Sequence, residues 1–228
     1  MHGGRLRVED GAVLSTHGIK MDENAGATLL VKNATVQCRN SDGDFKGDDN
    51  INITRGNTLQ VEGPSADDNR AFFMFPLANA QVEASALNAT VGAVLDTRTL
   101  TLHSGSSLVL DKSHIDLNGG CLTLNMQGED KINLELSLDG TLTEDSIVHL
   151  FSNIGTLKLG SDTITAQHEF HANQYFTGSM IGEDTVVQFQ NGSLTVTGLV
   201  TQTVPEPTTA TLSLLALAGL AARRRRRK

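Results

Sequence analysis

The feature that most restricts this chain is a recurring alternation. "LRVEDGAVL" (Leu6 to Leu14), "INITRGNTLQV" (Ile51 to Val61) and "LTLHSGSSLVL" (Leu100 to Leu110) share one layout. Each has two alternating apolar residues, a short polar turn with glycine, and a second alternating pair. "LLVKNATV" (Leu29 to Val36) and "CLTLNM" (Cys121 to Met126) are looser members. The anchors Leu6, Leu29, Ile51, Leu100 and Leu122 are spaced 23, 22, 49 and 22, with the 49 read as two periods near 22. Alternation of this kind belongs to strands with one buried face. A single circuit of such strands cannot bury that face alone, whereas stacked circuits form a continuous apolar column. Asn and Gly suit the corners because they tolerate positive φ. The pattern predicts an all-β fold: a right-handed parallel β-helix, or solenoid, of ~22-residue coils. The L-x-x-L-x-L register of a leucine-rich repeat is not found.

Composition agrees with such a core. There is no Trp, one Tyr, and 4% aromatic residues, so the interior must rest on Leu, Ile and Val. The same scarcity argues against a carbohydrate cleft paved with aromatic rings. Six of the 18 cations lie in Arg223 to Lys228, which leaves residues 1–222 with 12 cations against 26 acids, a charge of −14. Such a body repels nucleic acid and anionic surfaces.

Residues 1–140 are expected to form the repeats, with an irregular insertion at about 63–90. That insertion holds the one dense aromatic group, Phe72, Phe73 and Phe75 around Met74, and Pro76 argues against a central strand there. From about Gly140 the rhythm changes, and 141–200 is expected to be a β-rich antiparallel cap. "VVQFQNGSLTVTG" carries Asn191-Gly192 between alternating runs, a strong hairpin signal. Residues 201–207 form a proline-bearing linker, and 208–228 a short apolar helix with a basic end.

Candidate chemistry is sparse. No nucleophile-elbow, phosphate-loop or H-E-x-x-H motif occurs. "HEFH" puts His168 and His171 three apart: on a strand they face opposite sides, on a helix they could share a zinc ion, and a solvated pair is the plainer reading. Asp42, Asp44, Asp48, Asp49 and Asn50 raise the alternative of a calcium-stabilised module, but Lys46 and Ile53 occupy ligand places, and a solvated acidic turn is the plainer reading. In "LDKSHIDL", Asp111, His114 and Asp116 are the nearest local set for the alternative of an envelope polysaccharide-active enzyme, since His114 and Asp116 share a face on a strand. The sequons at Asn33, Asn52, Asn88 and Asn191 are read as turn and strand residues, and Cys38 and Cys121 as two separate thiols. No catalytic residue, metal site or cofactor is assigned, and the protein is not expected to be an enzyme.

The tail is more specific. Val204, Pro205, Glu206 and Pro207 precede an uncharged segment from Thr208 to Ala222 carrying Leu212, Leu214, Leu215, Leu217 and Leu220. Arg223, Arg224, Arg225, Arg226, Arg227 and Lys228 follow at once. Fifteen residues make about 22 Å of helix, short of a full span but extendable by snorkelling arginines. A cationic block after an apolar segment acts as a stop-transfer signal and stays cytoplasmic, which places residues 1–203 outside. In motif, order and position this tail resembles the PEP-CTERM sorting signal. The resemblance implies export in a Gram-negative bacterium, recognition of the Pro-Glu-Pro element by an exosortase in the inner membrane, cleavage near it, and delivery to the envelope or matrix. The proline pair holds that element extended, as a processing enzyme requires.

The body is similar, more weakly, to the β-helical passenger regions of autotransporter-type adhesins, through "LTLHSGSSLVLDKSHIDLNGGCLTLN". That likeness implies a surface protein serving adhesion or matrix structure, with extracellular polysaccharide as a partner and nucleic acid excluded. The opening "MHGGRLRVEDGAVL" lacks a signal peptide, so a C-terminal fragment of a longer precursor is expected.

Overall fold

A computed structural model describes residues 1, 3–38, 49–63 and 86–201. The described chain is nearly all β, with three parallel-rich sheets visited in turn. The first circuit carries β1 (Arg5–Glu9), β2 (Val13–Ser15) and β3 (Ile19–Lys20). The second carries β4 (Thr28–Lys32), β5 (Ala34–Gln37) and β6 (Asn50–Ile53), and the third β7 (Thr58–Glu62), β8 (Ala86–Leu87), β9 (Val91–Asp96) and β10 (Thr99–His103). The fourth holds β11 (Ser107–Asp111), β12 (His114–Asp116) and β13 (Cys121–Asn125), and the fifth β14 (Ile132–Ser137), β15 (Ile147–Ser152) and β16 (Thr156–Leu159). The chain ends in β17 (Asp162–Ile164), β18 (His168–His171), a 3-10 turn at Ala172–Gln174, β19 (Phe176–Thr177), β20 (Val186–Gln190) and β21 (Ser193–Thr197).

The first sheet runs β1-β4-β7-β11-β14-β19, the third β17-β16-β13-β10-β6-β3, and the second β18-β20-β21-β15-β12-β9-β5-β2. The core is a set of in-register columns. In the first sheet Leu6, Leu29, Leu59, Leu108 and Leu134 align across neighbouring strands. In the third, Ile19, Ile51, Leu100, Leu122 and Leu157 do the same. From Leu29 inward these side chains are fully or almost fully buried. Each column gains its burial from the strand before and the strand after, which is why no circuit is apolar enough to stand alone.

The columns correct the sequence spacing. Leu6 and Leu29 belong to the first sheet, whereas Ile51, Leu100 and Leu122 belong to the third. Ile51 and Leu100 are direct partners across one circuit, so their separation of 49 is one lengthened circuit and not two periods. The circuit has its bare length of 22 where Leu100 meets Leu122 and where Leu14 meets Val36.

The change of pairing also falls later than the rhythm suggests. Both β15 and β16 are parallel to β12 and β13, and antiparallel pairing begins with β17 against β16. The segment after Gly140 reads differently because turns lengthen its circuit, not because the strands reverse. The Asn191-Gly192 hairpin is present, joining β20 to β21 with positive φ at both residues (49° and 74°). Ala86–Leu87, at the end of the expected insertion, forms a short parallel pair with Ile147–Val148. The Phe72, Phe73 and Phe75 group lies outside the described residues, as do Asp42, Asp44 and Asp48.

Corners are set by residues in the left-handed region. Asp10, Asn33 and Lys112 hold φ of 57°, 45° and 50° after the first-sheet strands, and Asn118 and Asn153 hold 47° and 51° after the second. Asn tolerates this region through its short polar side chain.

Candidate functional site

The described chain ends beside its antiparallel cap. Thr185 Oγ1 donates to the Gly198 carbonyl at 2.8 Å and accepts from the Gly182 amide at 2.8 Å. The Val200 amide donates to the Met180 carbonyl at 3.0 Å, and Thr201 is exposed. The linker to the Pro-Glu-Pro element therefore leaves from the cap, at the far end of the stack from β1. The sorting residues Val204 to Pro207, the apolar segment Thr208 to Ala222 and the cations Arg223 to Lys228 lie outside the described residues. Among the described residues no helix is long and apolar enough to cross a membrane.

The "LDKSHIDL" residues are not brought together as a solvent-facing set. Asp111 ends β11 in the first sheet, while His114 and Asp116 sit in the second. The ladder shifts between His114 and Ile115, a bulge that breaks strict alternation. His114 is buried at 5% exposure: Nδ1 lies 2.8 Å from the Asn88 carbonyl and Nε2 3.0 Å from Ser152 Oγ. A carbonyl only accepts, so Nδ1 carries the proton and Nε2 accepts from Ser152. Burial pushes the imidazole pKa down, with the His149 ring, 5.6 Å away between centroids, adding to that effect. Asp116 is used by the corners: it accepts from the Asn118 amide at 2.7 Å and from Asn153 Nδ2 at 2.8 Å. The sequence could not show this, because the bulge and the distant Ser152 and Asn88 are products of stacking.

His168 and His171 lie on β18, separated by the buried Phe170, and His168 packs against that ring at 6.0 Å. Three positions apart on a strand, they point to opposite sides. Of the acidic turn, Asp49 is described and buried, its carbonyl accepting from Thr97 Oγ1 and the Arg98 amide. Among the described residues no group of three or more His, Cys, Asp or Glu is placed to hold a metal ion. Cys38 and Cys121 are both free thiols.

Asn57 is the polar residue sequence inspection missed. It is fully buried at the corner between β6 and β7. Its Oδ1 accepts from the Ala27 amide at 2.8 Å, and its Nδ2 donates to the Asp22 carbonyl and to Thr54 Oγ1, both at 2.8 Å. The signal was the repeated turn itself, where Asn57 in "RGNTL" corresponds to the equally buried Ser106 in "SGSSL".

The outward faces differ in character. On the first sheet, polar side chains satisfy one another: Arg5 donates to Gln60 at 2.7 Å, Gln60 to Glu62 at 2.8 Å, Arg7 to Glu9 at 2.6 Å and Asn133 to Glu135 at 2.8 Å. On the third sheet, the outward column Lys20, Asn52, Thr101, Thr123 and Lys158 runs without a register shift and continues to Thr163 on β17.

The C-terminal element carries a sorting motif, which suggests an exported protein processed by an exosortase. Residues 203–228 match the PEP-CTERM protein-sorting motif, as their order of elements had indicated. No curated protein and no solved structure matches the chain. The motif implies an extracytoplasmic, envelope-associated location and an exosortase-type processing partner.

Proposed function

We propose that the chain is the body of a non-catalytic envelope protein, a β-solenoid with an antiparallel cap, which serves adhesion or matrix structure. Its C-terminal tail is read by an exosortase in the inner membrane of a Gram-negative bacterium. The observation that carries this reading is the sorting motif at 203–228 attached to a body of stacked circuits. The apolar segment holds the chain in the inner membrane until Val204–Pro207 is processed, and the cations keep the tail from following. Support for a structural rather than catalytic body comes from the "LDKSHIDL" set. Its histidine is enclosed by Ser152 and the Asn88 carbonyl, and Asp116 is taken by two corner asparagines.

The test is made in the native organism. The envelope is fractionated and the intact mass and both termini of this protein are determined. A C-terminus near Pro205–Thr208 in an outer or extracellular fraction is the expected result. An uncleaved chain ending at Lys228 in the cytosol would overturn the reading.

A further inference from the structure

The third sheet presents an outward face unlike the rest of the molecule. Its strands β3, β6, β10, β13 and β16 pair in parallel with no register shift, as do those of the first sheet, whereas the second sheet shifts at His114 and again at His149. Outward positions therefore fall in straight rows, one every ~4.8 Å along the stack. The middle rungs carry Asn52, Thr99, Thr101 and Thr123, all partly exposed. Asn52, Thr99 and Thr101 make no side-chain hydrogen bond among the described residues, and Thr123 Oγ1 meets only the Cys121 sulfur, at 3.7 Å. No outward position on these five strands is Asp or Glu, although the first sheet alone exposes Glu9, Glu62 and Glu135 to its outer side.

These properties select a partner by chemistry. A nucleic acid or other polyanion needs a field of cations, and the middle rungs offer none. A protein partner needs buried apolar or aromatic anchors, which this face also lacks. What it offers is the unengaged groups of Asn52, Thr99 and Thr101, beside Thr123 and the hydrogen-bonded His103–Asn125 pair, on rungs whose spacing is close to the rise per sugar of an extended β-1,4-linked pyranose chain. Hydroxyls of such a chain both donate and accept, as Thr and Asn side chains do. We infer that the outward face of the third sheet binds a neutral, extended β-linked polysaccharide lying along the stack. This deepens the reading of the body as an envelope or matrix protein and rests on it. The scarcity of aromatic rings excludes a paved cleft but not a flat ladder. It makes each sugar contact weak, so that binding grows with polymer length.

The test uses the full chain in a sugar-free nonionic detergent, run on native gels containing hydroxyethyl cellulose or polygalacturonate. Retardation by hydroxyethyl cellulose is expected. The triple variant Thr99→Val, Thr101→Val, Thr123→Val keeps shape and charge but removes three hydroxyls. It should bind about tenfold more weakly, from three hydrogen bonds at the low end of their usual worth. The control pair Thr28→Val, Thr58→Val, on the outer side of the first sheet, should bind as the parent does. A second readout needs no variant: cellohexaose should shift the amide signals of Asn52, Thr101 and Thr123. Absence of retardation, equal retardation of the triple variant, stronger retardation by polygalacturonate, or shifts confined to other faces would each overturn the inference. Because purified protein is used, failure of the sorting reading, an uncleaved cytosolic chain, would be seen in a different measurement.

Discussion

Ser152 donates its hydroxyl to Nε2 of His114 across 3.0 Å, joining two strands of the second sheet that lie 38 residues apart. His114 in turn holds the Asn88 carbonyl, and the Asn88 amide donates to Asp139 at 2.7 Å. The imidazole thus fastens the segment leading into β9 to the two strands beyond it, and its burial favours the neutral form.

That neutrality sets a pH dependence. Burial is the largest influence lowering the His114 pKa, reinforced by His149 and opposed by the Asn88 and Thr90 backbone and by Asp116. Below the ordinary histidine value of about 6.5 the unfolded chain takes up a proton before the folded one does. The contribution is therefore whole above that pH and lost as pH falls below it. Melting temperature should drop on acidification from pH 7.5 to 5, and the His114→Gln variant should show a shallower drop from a lower starting point. Parallel curves for the two proteins would refute the assignment.

Asn57 stands at a corner where four hydrogen bonds of its side chain converge. Asn57→Ala strands the Ala27 amide inside the protein and leaves the Asp22 carbonyl with the Ala25 amide alone. A loss of about 1–3 kcal/mol is expected in urea unfolding, because one buried amide is orphaned and the other hydrogen bonds of the side chain go with it. A loss under about 1 kcal/mol would mean that water replaces the side chain at little cost.

Stacked corners leave no room for a methyl group between the second and third sheets. A Cβ on Gly155 would run into the Gly119 carbonyl, and one on Gly120 into the Thr97 carbonyl. Gly155→Ala should cost about 1–3 kcal/mol through forced backbone movement. Gly11 has φ of 76° with open space where a side chain would stand, so Gly11→Asn should carry only the backbone cost of that conformation and lose clearly less than Gly155→Ala. Thermal melts of the two variants rank them directly.

The two thiols should differ in reactivity. Cys38 is fully buried, and burial raises its pKa to about 11, so almost no thiolate forms at neutral pH. Cys121 lies on the outward side of the third sheet, partly exposed. Iodoacetamide at pH 8 should label Cys121 alone in the folded protein and both residues in urea, as read by peptide mass. Labelling of Cys38 in the native state would show that its strand end opens.

Much of this architecture could be read from residues whose meaning is local. The alternation in "LTLHSGSSLVL" specifies β10 and β11 with their turn, and Asn191-Gly192 specifies the hairpin, because both depend only on near neighbours. The Pro-Glu-Pro element, the apolar run and the cations are equally local, and they identified the tail. What could not be read was which circuit touches which. Ile51 pairs with Leu100 across 49 residues, and spacing alone cannot tell a long circuit from two short ones. The burial of His114 was hidden for the same reason, since Ser152 and Asn88 reach it only through stacking. The unengaged face of the third sheet, too, becomes visible only when Asn52, Thr101 and Thr123 are set side by side.

The pairing of Ile51 with Leu100 also has an architectural consequence. Leu59 and Leu108, one strand further along, keep the same offset of 49, so the intervening chain leaves both ladders undisturbed. The entropy of closing such an excursion rises by only about 0.6 kcal/mol for each doubling of its length. The corner after Glu62 is therefore a permissive address. The ladders on either side dictate the frame, so the number of residues between Glu62 and Ala86 is set independently of the register of the core.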